Sequence, residues 1–151
     1  MALTARVQRH SAGDFDDSDG TIHSRNKEAT STAIVRGAVL SSNGGTQLRA
    51  CAAADKGPIY IANKAKALNA TYVDALWGDN VIFYVISDGI IPANGLCETG
   101  AAGKIKASAG TNQVVAIYVK HGTKSNDPVT PLASSADLDV IGIKIIGAGK
   151  E

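Results

Sequence analysis

The feature that most constrains this chain is an unbroken apolar run at residues 81–86, Val-Ile-Phe-Tyr-Val-Ile, which lies between two turn signals. Gly-Asp-Asn at residues 78–80 precedes the run, and Asp88-Gly89 follows it before a short apolar return. β-branched and aromatic residues favour strands, and Asp-Gly pairs favour the tight turns that connect them. The sequence therefore predicts a central β-hairpin over residues 78–92, whose long strand is covered on both faces.

Further apolar segments recur at intervals of roughly ten residues, with glycine-rich turns between them. Asn43-Gly44 predicts an early hairpin, because both residues accept positive φ at little cost. Additional strands are predicted at residues 32–40, 46–51, 59–61, 104–107, 113–120 and 138–146. The segment 113–120 is a second run that is apolar on both faces, and we expect it to pair with residues 81–86. The pattern is typical of an all-β fold, a small β-barrel or β-sandwich of short strands.

Charge and length exclude several classes of function. The 151 residues suffice for one domain, and 15 basic residues are interspersed with 14 acidic ones, so we expect no nucleic-acid surface. No segment approaches the ~18 apolar residues that span a bilayer, and the N-terminus lacks a secretory signal. We therefore expect no membrane partner, and a protein that leaves the cytoplasm only within an assembly. Cys51 and Cys97 are predicted to be buried free thiols.

The first 30 residues differ from the rest, because they are polar and contain few apolar side chains. Within them Leu3, Ala5 and Val7 alternate with polar residues, as in a short strand with one apolar face. Such a strand can add to the open sheet edge of a partner. We therefore predict an extended, mobile N-terminal arm at residues 1–30 and a β body at residues 31–151.

The acidic residues 14–19 of this arm superficially match a calcium-binding loop. With Gly20 at the sixth position of that loop, Phe15 falls at the first position and Asn26 at the twelfth, where carboxylates are needed. A solvated acidic linker is therefore favoured over a metal site. The cysteines and histidines also lack the spacings of metal ligands, so the sequence predicts no metal and no cofactor.

Catalytic residues are sparse. His10, His23 and His121 are the three candidates for a general base, and two of them lie in the polar arm. A His121 base acting with Asp127 or Ser125 matches no motif, and the ordinary interpretation of His121 is a residue at the exposed end of a strand. The sequence therefore predicts a protein without catalytic activity.

Several strand-and-turn elements occur in a characteristic order. They are Arg36-Gly37-Ala38-Val39-Leu40, residues 54–62, Gly78-Asp79-Asn80-Val81, Gly103-Lys104-Ile105-Lys106 and residues 139–145. In order and spacing this chain resembles the small β-rich head-decoration, or capsid-cement, proteins of tailed viruses, which repeat G-x-V-V, G-D-x-V and x-I-G-I elements. The likeness covers residues 30–147, but the acidic segment 14–19 and the segment 122–131 have no counterpart in it.

The resemblance implies a virion structural protein, frequently a homotrimer, that docks on the outer face of an icosahedral capsid and fastens neighbouring major capsid subunits. The predicted partners are the major capsid protein and further copies of the chain, which assemble in the host cytoplasm. From the arm we expect capsid contacts at Leu3, Thr4, Ala5, Arg6, Val7, Phe15 and Ile22. Contacts between copies are expected at Trp77 and Tyr72.

Two other functions stay open at this point. A receptor- or glycan-binding module of a viral fibre or spike would use Trp77, Tyr72 and the segment 122–131, since an exposed indole is a stacking platform for a sugar. The ordinary interpretation of a single Trp beside a strand is, however, a half-buried core position. A small barrel enzyme would depend on His121.

Overall fold

This computed structural model describes residues 9–122 and 132–146 of the chain. Their regular secondary structure consists of two antiparallel β-sheets and a 3-10 turn (Ala101–Gly103). The six-stranded sheet has the spatial order β1 (Phe15–Asp16), β7 (Ile82–Ile86), β11 (Val140–Ile145), β10 (Ala116–His121), β8 (Leu96–Thr99) and β9 (Ile105–Ala107). The five-stranded sheet has the order β2 (Thr21–Glu28), β6 (Tyr72–Asp79), β5 (Ile59–Ala62), β3 (Val39–Ser41) and β4 (Arg49–Ala50).

The two sheets face each other as a sandwich. Every second side chain of a strand points to the same face, so alternate residues of a strand reach the space between the sheets. Phe83 and Val85 of β7, Ile143 of β11, and Ile59 and Ile61 of β5 are among the fully buried residues between the sheets. The predicted all-β fold is therefore confirmed as a small β-sandwich, and the sheets do not close into a barrel.

The five-stranded sheet also buries its second face. Leu40, Tyr60 and Trp77 point away from the other sheet and form a separate apolar cluster, which we call the outer core. This face is covered because the sheet curls until its two edges meet at one end. There Ala29, directly after β2, forms a parallel bridge with Leu48, directly before β4.

The early hairpin predicted around Asn43-Gly44 is confirmed. β3 and β4 pair antiparallel, with Leu40 opposite Ala50. Asn43 has φ 47° and Gly44 has φ 84°, the left-handed conformations that this pair tolerates at little cost. The Asn43-Gly44 pair therefore forms the turn of this hairpin, as the sequence predicts.

The central hairpin predicted over residues 78–92 is wrong. β7 pairs with β1 and β11, and the apolar return at residues 90–91 forms no strand. The turn signal before the run instead carries the chain from the five-stranded sheet to the six-stranded sheet. Asn80, with φ 57°, forms this corner and is held by the hydrogen bond that its side-chain amide donates to the Asp19 carbonyl at 2.7 Å.

The run at residues 81–86 is nevertheless covered on both faces, as its composition predicts. The sandwich core lies on one face. Residues 9–16 cross the other face, where the ring of His10 stacks on the ring of Tyr84 with centroids 3.9 Å apart. The backbone N–H of Gly13 also donates to the Tyr84 carbonyl at 2.8 Å.

The predicted pairing between residues 81–86 and residues 113–120 is also wrong. β11, the last strand of the chain, lies between β7 and β10 and pairs with both. Ile143 of β11 is opposite Phe83 of β7 on one side and opposite Tyr118 of β10 on the other. Three strands with buried side chains thus lie side by side. The middle one is β11, the last strand of the chain.

The predicted separation of an N-terminal arm from a β body does not hold for the described residues. β1 pairs with β7 in one sheet, and β2 pairs along its whole length with β6 in the other. Polar composition misled the prediction, because β2 is an edge strand whose stability comes from backbone pairing rather than from burial of its own side chains. Residues 1–8, the first part of the predicted arm, lie outside the described residues.

Across residues 9–122 and 132–146, none of the helical structure is long and apolar enough to cross a membrane.

The outer core makes a testable contribution to stability. Leu40→Ala should lower the free energy of unfolding by about 2–5 kcal/mol, because it leaves a cavity in a fully buried cluster. Chemical denaturation followed by tryptophan fluorescence measures this change. Leu68→Ala, the same substitution at an exposed position, is the matched control and should change stability by less than about 0.5 kcal/mol. Equal stability of the two variants would contradict the burial of the outer core.

Candidate interaction site

The outer edge of β2 carries backbone groups that face away from the sheet. The backbone N–H of Ala29 donates to the Thr71 carbonyl, which fixes which residues of β2 bond to β6. Because antiparallel pairs alternate, the residues that bond to β6 are those at odd positions from 21 to 27. The N–H and C=O groups of Ile22, Ser24 and Asn26 consequently point to the open side.

These open groups have no hydrogen-bond partner among the residues that the structure describes. The edge is occupied only further along, where the Glu28 carbonyl accepts from the Leu48 N–H at 2.9 Å and the Thr30 N–H donates to the Leu48 carbonyl at 2.9 Å. The edge of β2 is therefore open over residues 22–26 and occupied from Glu28 onward.

A groove of about 340 Å³ lies beside this open edge. One wall is β2, and the other is the turn between β3 and β4. The groove is lined by Arg25, Asn26, Lys27, Glu28, Ser42, Gly45, Thr46, Leu48 and Tyr60. The two edges of the curled five-stranded sheet contact each other at Leu48 and are separated by this groove beyond it. We call it the seam groove.

Tyr60 is the aromatic residue that lines the seam groove, and Trp77 and the ammonium of Lys27 lie beside its ring. Trp77 and Tyr60 pack edge to face with centroids 5.5 Å apart, and His23 stacks on Trp77 at 5.6 Å. The ammonium of Lys27 lies 5.0 Å from the Tyr60 ring centroid and 5.3 Å from that of Trp77, so both π faces stabilise its charge. Arg25 shares this face of the sheet, since the odd residues of β2 lie on one side.

The arrangement can bind an extended polypeptide. An open strand edge offers N–H and C=O groups in the spacing of a sheet, and a further strand can satisfy them by β-augmentation. Sequence reasoning missed this site, because β2 (Thr-Ile-His-Ser-Arg-Asn-Lys-Glu) contains a single large apolar residue. The one available signal was its alternation of cations at positions 25 and 27 with neutral polar residues.

The predicted capsid-contact residues are scattered in the structure. Leu3, Thr4, Ala5, Arg6 and Val7 lie outside the described residues. The two others are described. Phe15 lies on β1 and is partly exposed, whereas Ile22 lies on β2 and packs its side chain against the sandwich core. Among the described residues, Phe15 alone presents an accessible apolar side chain from that set.

The predicted oligomer contacts, Trp77 and Tyr72, lie on the same strand but on opposite faces. Trp77 is 6% exposed beneath Lys27 and His23, and Tyr72 is 61% exposed. A position five residues away in a strand faces the other side of the sheet, so the two rings cannot form one patch. Trp77 is therefore a core residue, and only Tyr72 is available at the surface for a contact with another copy.

His121 is buried, which differs from the exposed strand end that the sequence predicts. Its Nε2 lies 2.8 Å from Oδ2 of Asp139, and the same oxygen accepts the backbone N–H of Ala136 at 2.7 Å. The pair joins the end of β10 to the turn that precedes β11. Asp127 and Ser125, the partners considered from the sequence, lie outside the described residues.

Cys51 and Cys97 are buried and free, as predicted. Burial raises the pKa of each thiol to about 12. The Cys51 thiol donates to the carbonyls of Lys104 at 3.3 Å and Gly100 at 3.4 Å. Thiols in this state are poor nucleophiles at neutral pH, and they serve as small apolar side chains of the core.

The buried carboxylate of Glu98 is paired with a cation and with hydrogen-bond donors. Glu98 receives hydrogen bonds from Asn112 at 3.2 Å and from the Ala109 N–H at 3.4 Å, and Lys106 Nζ lies 3.3 Å from its carboxylate. Burial alone would raise the pKa of Glu98, but these bonds outweigh burial and hold the pKa below 4.5. The carboxylate thereby fastens residues 108–112 to β8 and β9.

Asp55 is likewise buried and forms an ion pair with Arg49 at 3.0 Å, and it accepts the Ala52 N–H at 3.0 Å. These contacts hold residues 51–56 against β4. Among residues 9–122 and 132–146, no three His, Cys, Asp or Glu side chains are grouped as metal ligands.

Comparison with known proteins gives no assignment. No protein-family model matches the sequence, and no curated protein matches it with significance.

The role of Glu98 predicts a pH dependence. Its pKa is lower in the folded protein than in the unfolded chain, so its stabilisation is complete above about pH 5 and is lost as the pH falls through the folded pKa. Glu98→Gln should therefore flatten the decline of unfolding free energy as the pH falls below about 5. Denaturation curves at each pH measure this slope. Glu28→Gln, the same substitution on an exposed strand position, should keep the wild-type slope.

Proposed function

We propose that this protein is a non-catalytic structural protein of a virion, which decorates the outside of an icosahedral capsid and stabilises it by fastening neighbouring major capsid subunits. The resemblance of residues 30–147 to capsid-cement proteins suggests the setting. The open edge of β2 is the observation that carries the proposal, because its open N–H and C=O groups can bond to the backbone of another polypeptide.

The position of β2 in the fold supports a mechanical role. β2 pairs over eight residues with β6, and β6 lies between the sandwich core and the outer core. A load applied to the edge of β2 is thus transmitted to a strand that is packed on both faces.

Attachment through β2 is proposed beside the contacts predicted at residues 3–7, which lie outside the described residues and stay a prediction. Each single strand pairing is weak, but several copies held together on one shell bind with an effective affinity that is orders of magnitude higher. Exposed Tyr72 and Phe15 are the candidates from the sequence that remain accessible for contacts between copies or with the shell. A homotrimer would supply this multivalency.

A glycan-binding function has less support than attachment to a shell. It requires an exposed aromatic platform, and of its two aromatic candidates Trp77 is buried under Lys27 and His23, which leaves Tyr72. A glycan array with the wild-type protein distinguishes the two functions, since a cement protein gives no sugar-dependent signal.

The function is tested by co-sedimentation of the purified protein with shells of the major capsid protein of the same virus. We expect the protein to bind these shells and to raise the temperature at which they rupture. Ser24→Pro should weaken binding by roughly tenfold or more, because proline removes the outward-facing N–H. The fold should survive, since proline is tolerated at an edge position whose N–H faces solvent.

Ser24→Ala is the matched control, because it keeps the backbone N–H and should bind like the wild type. Circular dichroism and thermal unfolding of both variants verify that the fold is intact. A wild-type protein that neither binds shells nor raises their rupture temperature would contradict the proposed function. Equal binding of Ser24→Pro and Ser24→Ala would place the attachment elsewhere than at the β2 edge.

A further inference from the structure

The seam groove has a charge pattern that restricts what can pair with β2. Arg25 and Lys27 are two residues apart on the same face of the strand, the face that forms the floor of the groove. Ser24 and Asn26, on the opposite face, are neutral and polar. The edge therefore presents two cations on one face and no charge at the intervening positions.

We propose that the seam groove binds an extended acidic segment of a partner protein, with carboxylates on alternate residues opposite Arg25 and Lys27. The segment adds as a further strand to the open edge at residues 22–26. Directly opposite residues of adjacent strands have Cβ atoms about 5 Å apart, a distance at which opposite charges attract and like charges repel. This inference rests on the proposed function in one respect, since it takes the acidic segment to be part of a capsid subunit.

The backbone geometry fits such a segment. Its N–H and C=O groups would meet those of Ile22, Ser24 and Asn26, which have no partner among the described residues. At its far end the segment would meet Leu48, which already pairs with Glu28 and Thr30. The incoming strand would therefore end before Leu48, and the five residues 22–26 set its length along the open edge.

Among the described residues that line the groove, Glu28 is the acidic one. The Glu28 carboxylate is directed to Gln47, whose side-chain amide donates to it at 3.0 Å. Lys27 rests on the rings of Tyr60 and Trp77, which holds its ammonium over the floor of the groove. A carboxylate that approaches Lys27 there is partly shielded from water by the two rings, so its attraction to the ammonium is less screened than at an open surface.

A capped heptapeptide of alternating Thr and Glu is the probe, and the same peptide with Gln in place of Glu is its matched control. Binding is measured by titration of the full-length protein, with backbone amide resonances followed by NMR. We expect the Glu peptide to shift the amides of Ile22, Ser24 and Asn26 and to bind roughly 2- to 30-fold more tightly than the Gln peptide. Added salt should reduce this preference.

Protein variants separate the charge contribution from the backbone contribution. Arg25→Gln should lower the preference for the Glu peptide, whereas Lys64→Gln, the same loss of charge at an exposed site outside the groove, should leave it unchanged. Ser24→Pro should weaken both peptides equally. Equal affinity for the Glu and Gln peptides, or amide shifts outside β2, would overturn the proposal.

The outcomes for the peptide and for the shells are independent. Shell binding without measurable peptide binding at millimolar concentration would overturn the acidic-strand inference and leave the proposed function intact. Peptide binding without shell binding would do the reverse. Shifts of the same β2 amides on concentrating the protein alone would identify a second copy of the chain as the occupant and would overturn the inference.

Discussion

The pairing of β2 with β6 is the interaction on which the rest of the structure depends. β6 places Leu76 in the sandwich core and Val73, Ala75 and Trp77 in the outer core, so both of its faces are packed. A strand buried on both faces can have its backbone groups satisfied only by neighbouring strands. β5 supplies this pairing on one side of β6, and β2 supplies it on the other. β2 is thus an outer strand that the interior requires.

This requirement explains how a polar segment becomes a well-formed strand. β2 buries little apolar surface of its own, and the free energy that holds it comes from the hydrogen bonds that β6 would otherwise lack. Loss of β2 would leave the buried N–H and C=O groups of Val73, Ala75 and Trp77 without partners, at a cost of about 1–3 kcal/mol for each unsatisfied group. The polar strand β2 is therefore held in place by the apolar strand β6, and the outer edge of β2 remains open to a partner strand.

The predictability of this fold follows from the range of the interactions. The turn at Asn43-Gly44 and the double burial of residues 81–86 were predictable, because each depends on residues that are adjacent in sequence. The order of β7, β11 and β10 was not, since all three strands are apolar and nothing local distinguishes the middle one. β2 and the seam groove were missed for the same reason. His23, Arg25 and Lys27 resemble a solvated linker until their pairing with residues 73–77 is known.

An open edge is a hazard as well as a site, and the side chains of β2 bear on both. Unpaired strand edges associate with one another, and cationic side chains on an edge oppose this because two like strands bring like charges together. Antiparallel pairing of two β2 edges would place Arg25 and Lys27 of each copy within a few residues of their counterparts. The charges that discourage self-pairing are the same charges that favour an acidic strand. A single pattern of residues on β2 therefore keeps the edge open in the free protein and selects the partner that closes it.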